Sequence, residues 1–385
     1  MQFSVGHSDA LDGFDALSEV VESLLLAVGD ESPLGALVFA SPGYGLGPII
    51  ERLLERWPGC PIAGCSSGGT FSSAGGYGED SLSVGLFHSP ATEVVASSSA
   101  GVGLAESLEG TVSRVVGDAK RKLGTAPKLC FVFADPFAAD LASFAEVVAA
   151  EVGPDCCVVG GAASDHRVRL DDPSAPEAVG SDGVVVGGLS VLLIGGDVLV
   201  GASSGSGWEP VGFSAVATKV DGNVILEIDN APARDALKRW HMDNVSIPSF
   251  PPIMATKGNG AALFRPVFAL DEEAGSIVLG GAIPEGSQLE LCEVLNKGLL
   301  AASSSSAHKA IDDYSGIVPC GAVVVSCAAR KWHLGTQTFA ENDEIASALN
   351  GTPHLGFYSF GEIVPESGSA LFQSHTCTTI VFGAV

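Results

Sequence analysis

One unit is written three times along this chain, and that repetition constrains the fold more than any single motif. Each copy runs from an apolar strand through a helical stretch to a second short strand, which enters a glycine-bracketed loop. In the first copy, ALVFA at residues 36–40 leads through IIERLLERW at 49–57 to PIA at 61–63 and the loop GCSSGGTF at 64–71. In the second, LCFVFA at 129–134 leads through 144–152 to CVV at 157–159 and the loop GGAASDH at 160–166. In the third, AVVVS at 322–326 leads through 344–349 to PHL at 353–355 and the loop GFYSFGEI at 356–363. Short β-branched and apolar runs read as buried strands, and the stretches between them as helices over the sheet, so each unit reads as βαβ. Gly64 and Gly160 are 96 residues apart, and Gly160 and Gly356 are 196 apart, which leaves room for a degenerate fourth copy. Ligands of open α/β sheets sit beyond the carboxyl ends of the strands, where these three loops would lie. The plain structural alternative is that glycine makes tight strand exits easy.

Composition narrows the function classes. With 385 residues, 46% of them hydrophobic, the chain is long enough for two domains. Its 45 acidic residues outnumber 19 basic ones for a net charge of −26. Phosphate backbones and anionic lipid surfaces both need a basic partner, so neither nucleic acid nor membrane is expected to bind. The N-terminal MQFSVGHSDALDGF has no basic and apolar leader pattern, which predicts a cytoplasmic protein. The most apolar stretch, 184–202, is broken by Gly187-Gly188, Gly195-Gly196 and Asp197, so it reads as two strands rather than a membrane span. Nine cysteines without a CxxC pair predict reduced thiols and no zinc site.

Between the copies, residues 14–27 carry helical spacing, as do 105–123, whose end Lys120-Arg121-Lys122 suits the negative pole of a helix dipole. Residues 167–180 read as a surface excursion, and 216–219 and 223–228 as strands of a hairpin turning at Asp221-Gly222-Asn223. A helix is predicted from about Asn230 to Trp240, followed by PSFPP at 248–252 as a loop at the domain junction. The expected fold is α/β, two domains with mixed sheets built from repeated βαβ-like units. Its divisions are a helix-containing extension at 1–32, a first domain at 33–228 and a second at 229–385.

Aligned on their glycines, the loops set Thr70, His166 and Glu362 at one equivalent position. Backbone N–H groups of such turns make anion sites, Glu362 is placed to receive an ammonium group, and Arg330 at a strand exit is suited to clamp a carboxylate. An amino acid or similar zwitterion satisfies both ends. Gly64, Cys65, Ser66, Asp165, His166, Arg330, Tyr358 and Glu362 are the candidate ligand contacts. Cys65 and Cys327 at strand exits raise thiol chemistry, yet no local signature of a thiol enzyme accompanies them, and GxSxG, Walker and HExxH patterns are absent. No enzyme activity, metal or cofactor is therefore expected. The alternative is a haem sensor, for which His88, His166, His241, His333, His354 and His375 are the available axial ligands.

GCSSGG at 64–69, GGAASD at 160–165, GSGWEPVG at 205–212, the exit Cys327-Ala328-Ala329-Arg330 and GFYSFGEI at 356–363 together resemble the FIST proteins. The resemblance is to the N-terminal and C-terminal FIST domains in tandem and runs from about Pro33 to the C-terminus. It implies an intracellular sensory module of signal transduction that binds a small ligand such as an amino acid. Some bacterial members are described as haem-based nitric oxide sensors, which is what carries the haem alternative. Larger members fuse the module to an output domain, so this chain reads as a stand-alone sensor acting through a separate output protein. Where the family's first loop commonly ends in an acid, this chain has Thr70, while Glu362 keeps the acid in the third.

Overall fold

A computed structural model describes residues 1–29, 31–88, 92–100, 107–136, 140–166, 176–240, 242, 252–258 and 260–384. The repeated unit is longer than the sequence pattern suggests: strand, helix, strand, helix, strand, hairpin, strand. Copy one is β1 (Gln2–Ser8), α1 (Gly13–Val28), β2 (Gly35–Ala40), α2 (Leu46–Arg56), β3 (Ile62–Ser66), the hairpin of β4 (Thr70–Ser72) and β5 (Gly76–Gly78), and β6 (Leu82–His88). Copy two is β7 (Thr92–Ser99), α3 (Leu108–Lys122), β8 (Pro127–Ala134), α4 (Leu141–Val152), β9 (Cys157–Ala162), the hairpin of β10 (Ala178–Gly180) and β11 (Gly183–Val185), and β12 (Leu189–Gly196). Residues 1–32, set apart as an extension, supply the first strand and helix of copy one, in the places that β7 and α3 take in copy two.

Copy three opens with β13 (Val198–Gly205) and is then interrupted by β14 (Glu209–Asp221), β15 (Val224–Ile228), β16 (Ala231–Pro232), α5 (Ala233–Arg239), β17 (Ile253–Thr256), β18 (Leu263–Arg265), β19 (Val267–Asp271), β20 (Ser276–Leu279) and β21 (Gln288–Glu293). It resumes with α6 (Asn296–Asp313), β22 (Gly321–Cys327), α7 (Ala328–Leu334), α8 (Thr338–Leu349), β23 (His354–Ser359), the hairpin of β24 (Glu362–Glu366) and β25 (Ser369–Gln373), and β26 (Cys377–Ala384). The interruption accounts for the doubled spacing. It is no fourth βαβ copy: every strand pair described within it is antiparallel. The expected division after residue 228 falls between β15 and β16, which pair with each other in this inserted sheet. Residues 248–251 of the junction loop and 167–175 of the surface excursion lie outside the described residues.

The copies are interlocked by their hairpins. The three sheets run β1-β6-β2-β3-β10-β11, β7-β12-β8-β9-β24-β25 and β13-β26-β22-β23-β4-β5. Each sheet therefore ends in a hairpin lent by another copy: two lends to one, three to two, and one to three. The parallel pairs β2/β3, β8/β9 and β22/β23 sit in the middle of each sheet, flanked by antiparallel strands. Inner faces of all three sheets share one core, where the Phe39 ring lies 4.4 Å from Phe357 and 5.4 Å from Phe133, and Phe133 lies 5.8 Å from Phe357. Removing one such ring costs about 3–5 kcal/mol through lost transfer energy and the cavity left behind.

The outer faces are covered by helices. Asp12 accepts from the Phe14 and Asp15 amides to start α1, which buries Gly13, Ala16, Leu17, Val20 and Leu24 on copy one's sheet. Ser107 and Asp140 cap α3 and α4 in the same way, and these two cover copy two. Copy three is covered by α6 and α8. The predicted hairpin about Asp221-Gly222 is present as β14 and β15, in the inserted sheet, which has its own apolar core with α5.

Candidate functional site: the junction of three strand-exit loops

The glycines that bracket the loops serve the sheets first. Gly64, Gly160 and Gly356 face Val38, Val132 and Val324 across the parallel pairs. A Cβ at these three positions would fall 1.9, 1.8 and 2.7 Å from the facing carbonyl oxygens. Any side chain there forces the central strands apart, so glycine is required by the close approach.

Beyond the glycines the loops meet one another above the Phe39, Phe133 and Phe357 rings. The Ser164 amide donates to the Ser66 carbonyl at 2.9 Å, and the Ser66 hydroxyl donates back to the Ser164 carbonyl at 3.0 Å. Ser67 Oγ accepts from the Tyr358 amide at 3.0 Å and donates to the Tyr358 carbonyl at 3.1 Å. The Gly68 amide donates to Ser164 Oγ at 3.1 Å, and the Ala162 amide to the Gly361 carbonyl at 2.9 Å. These amides, suggested by the sequence as an anion cradle, are spent on tying the copies together.

Most of the candidate contacts are interior. Gly64, Cys65 and Ser66 lie on buried β3, and burial pushes the Cys65 thiol well above its ordinary range. Arg330, expected as a carboxylate clamp, is fully buried. Its Nε and Nη2 reach Glu341 Oε1 at 3.0 and 2.8 Å, and its Nη1 donates to the Ser206 carbonyl at 2.5 Å. Glu341 also accepts from Ser326 Oγ and the Tyr358 hydroxyl at 3.0 and 2.8 Å, so Tyr358 belongs to the same internal network. Glu362, expected to meet an ammonium group, accepts from Ser359 Oγ at 2.7 Å and from the Thr376 hydroxyl and amide at 2.8 and 3.1 Å. Burial raises its pKa to about 7 against those hydrogen bonds, which pull the other way.

Asp165 is buried, its carboxylate accepting from the His166 amide at 2.6 Å, and His166 stands half-buried at the mouth. His166 Nε2 lies 3.0 Å from Asp80, and its Nδ1 is 3.3 Å from Glu79, a contact without hydrogen-bond alignment. Lys331 Nζ reaches Glu79 at 2.7 Å and also donates to the Gly68 carbonyl. Burial pushes the Glu79 carboxyl up, but hydrogen bonds from Lys331 and Tyr77 outweigh it and leave its pKa below the ordinary value. Glu79, Asp80 and Lys331 were not singled out from the sequence. The two acids sit in the connection from β5 of copy one's lent hairpin to β6, and Lys331 reaches Glu79 from α7. The only signal was adjacency: Lys331 follows Arg330, and Glu79-Asp80 closes the segment after the first loop.

Haem requires an imidazole facing an apolar slot. His354 is held by the Thr352 carbonyl and Asn342 at 3.2 and 3.3 Å, and His166 by its acids. His375 is buried edge-on to Trp208, with ring centroids 5.1 Å apart and neither nitrogen partnered, and His333 packs on the same indole at 5.5 Å. His241 lies outside the described residues. Two clefts, one between α1 and α2 and one beside Pro61 and Lys122, are lined by no histidine.

Three interlocked α/β copies with an inserted antiparallel sheet, joined at a loop junction with a charged mouth, define the class of fold. Two family models match it in tandem: the FIST N domain over residues 36–231 and the FIST C domain over 233–365. The chain belongs to the FIST family, whose domains are sensory modules of signal transduction with suggested small ligands. It is 25% identical over 244 residues to an uncharacterized protein of Mycobacterium tuberculosis, covering 60% of this chain and 61% of that protein. To an uncharacterized protein of Mycobacterium bovis it is 24% identical over 248 residues, again 60% and 61%. The match thus spans less than two thirds of these relatives' length. Among solved structures, a cyanuric acid hydrolase aligns over 100% of this chain and 99% of its own at 8% identity and a TM-score of 0.39. A chorismatase aligns over 92% and 94% at 11% identity and a TM-score of 0.37. No described helix is long and apolar enough to cross a membrane.

Proposed function

We propose that this protein is a sensory binding module for a small zwitterionic metabolite, an amino acid or a close relative, read at the mouth of the loop junction. The observation that carries the reading is the charged set Glu79, Asp80, His166 and Lys331, contributed by copies one, two and three and partly open to solvent. The contacts of His166 with Glu79 and Asp80 lie at a partly exposed edge and hold weakly, while Lys331 reaches Glu79 from a buried position. A ligand ammonium group replaces Lys331 and His166 in front of the two acids, and its carboxylate takes over the released bases. The interior charges, Arg330 with Glu341 and Glu362 with Thr376, hold the loops in place behind this mouth. We read binding without chemistry, since burial keeps the Cys65 and Cys327 thiols protonated.

The test is a thermal-shift and calorimetry panel of amino acids, amines and carboxylates on the purified chain. A true ligand at about 100 times its dissociation constant stabilises the fold by roughly 2.7 kcal/mol. Glu79→Gln and Asp80→Asn are expected to abolish that shift while leaving the unliganded melting temperature nearly unchanged. Silence across the panel, or an unaltered response in both variants, would sink the reading.

A further inference from the structure

We propose that the face built by α1 and α2 is a twofold interface with a second copy of this chain. The three copies provide an internal control. α3 packs along α4 and α6 along α8, whereas α1 and α2 meet over a short stretch and leave an open groove of about 910 Å³ between them. α1 also carries apolar surface beside the stripe it buries: Val21 and Leu25 are only half-buried against the same core, and Phe14 stands out from it. One face buries Ala16, Leu17, Val20 and Leu24. A second row, Phe14, Ser18, Val21 and Leu25, lines the groove at spacings of four, three and four, the a/d spacing of paired helices. Phe14 is 52% exposed.

The order of that row makes it complementary to itself. Turned antiparallel about its midpoint, it sets Phe14 against the partner's Leu25 and Ser18 against the partner's Val21. The small residue lies near the axis, where two helices approach most closely, and the large ones interlock at either end. An isologous contact has this property, since each residue must fit the one that fits it. Each α1 then occupies the other chain's groove, giving a four-helix layer of α1 and α2 from both copies.

Charge points to the same occupant. The chain carries a net charge of −26, so two copies repel each other over most of their surfaces. At the groove, Glu22 and Glu55 are balanced by Arg52 and Arg56. A twofold partner brings the same balanced set, so the two patches meet with no net charge to oppose approach. A strongly acidic or basic foreign helix would find no excess charge there to steer it.

The experiment is the mass of the full chain in solution, by light scattering after gel filtration and by sedimentation across a range of concentrations. The expected result is a dimer whose mass halves in Val21→Glu and in Phe14→Glu, with the circular dichroism spectrum and melting cooperativity retained. Phe339→Glu, on exposed α8, stays dimeric. Cysteines placed together at residues 14 and 25 crosslink two chains under oxidation. A wild-type chain that stays monomeric at tens of micromolar overturns the proposal, as does a dimer that survives both α1 variants.

Discussion

Copies one and three place different chemistry on the same backbone frame. At the exit of β2, the Ser41 amide donates to the Ser81 carbonyl; at the exit of β22, the Cys327 amide donates to the Thr376 carbonyl. One step further, Thr70 meets Ser81 through its hydroxyl at 2.8 Å, and Glu362 meets Thr376 through its carboxylate at 2.8 Å. Copy one fills its interior position with neutral hydroxyls and sends its acids, Glu79 and Asp80, outward. Copy three keeps Glu341, Arg330 and Glu362 inside, all fully buried. The difference teaches that a charge's depth, and not its place in the repeat, decides whether it is available to a ligand.

The largest effect is expected from breaking copy three's interior pair. Burial alone disfavours the Arg330 cation, and the Glu341 carboxylate more than restores it. Glu341→Ala leaves that guanidinium buried without its counter-charge, a loss of about 3–5 kcal/mol in urea unfolding. Replacing both residues together, as Glu341→Leu with Arg330→Met, is expected to cost less than Glu341→Ala alone. If the double change costs more, the two charges also hold Ser326 and Tyr358 of the same network in place.

Glu362 comes next and acts through pH. Its pKa is raised to about 7 in the folded protein from an ordinary 4.5, so the folded state holds a proton that the unfolded state releases between those values. Stability is therefore highest below pH 4.5 for this group and falls as pH rises through 7, by on the order of 3 kcal/mol. Glu362→Gln is expected to flatten that descent, measured as the urea midpoint at pH 5 and pH 8. His375 has the opposite sign. Burial first, then the positive fields of Arg330 and His333, lower its pKa to about 3 from 6.5. Its stability contribution is present above pH 6.5 and is lost as pH falls toward 3, by roughly 2 kcal/mol at pH 5. His375 also holds a φ of +62°, which asparagine tolerates well, so His375→Asn is expected to remove the acid sensitivity without backbone strain. An acid limb identical to wild type would place the titrating group elsewhere.

Much of the repeat was legible because its central strands are buried on both faces. β2, β8 and β22 are continuous apolar runs, and the glycines after them are fixed by strand spacing. The lent hairpins were not legible. β4 and β10 are three residues long and pair with a strand of another copy, so neither periodicity nor nearby sequence reveals them. β1 and β7 mix serine with valine and phenylalanine, which hides their alternation. The candidate site suffered for the same reason. Arg330 looked free because its partner Glu341 arrives from α8, and Glu79 looked remote because a lent hairpin carries it to Lys331 of copy three. Equivalent loop positions paired Thr70 with Glu362, each of which opens its copy's lent hairpin, but in copy two that place is taken by Ala178 of β10 and not by His166, and the depth of each depends on partners that the repeat does not share.

The smallest effect is expected in copy one's hydroxyl cluster. Thr70 Oγ1 lies 2.8 Å from both Ser81 Oγ and Ser83 Oγ. In Thr70→Val each serine keeps another partner: Ser81 still donates to the Gly78 carbonyl at 2.9 Å, and Ser83 still meets His7 Nδ1 at 2.8 Å. The loss is therefore that of a neutral hydrogen bond, about 1 kcal/mol. Since no charge is involved, the drop in urea midpoint should be the same at pH 6 and pH 8, in contrast to Glu362→Gln. A cost that grows with pH would mean that Thr70 senses copy three's carboxylate, and the two interiors would then be one electrostatic unit rather than separate solutions on a shared frame.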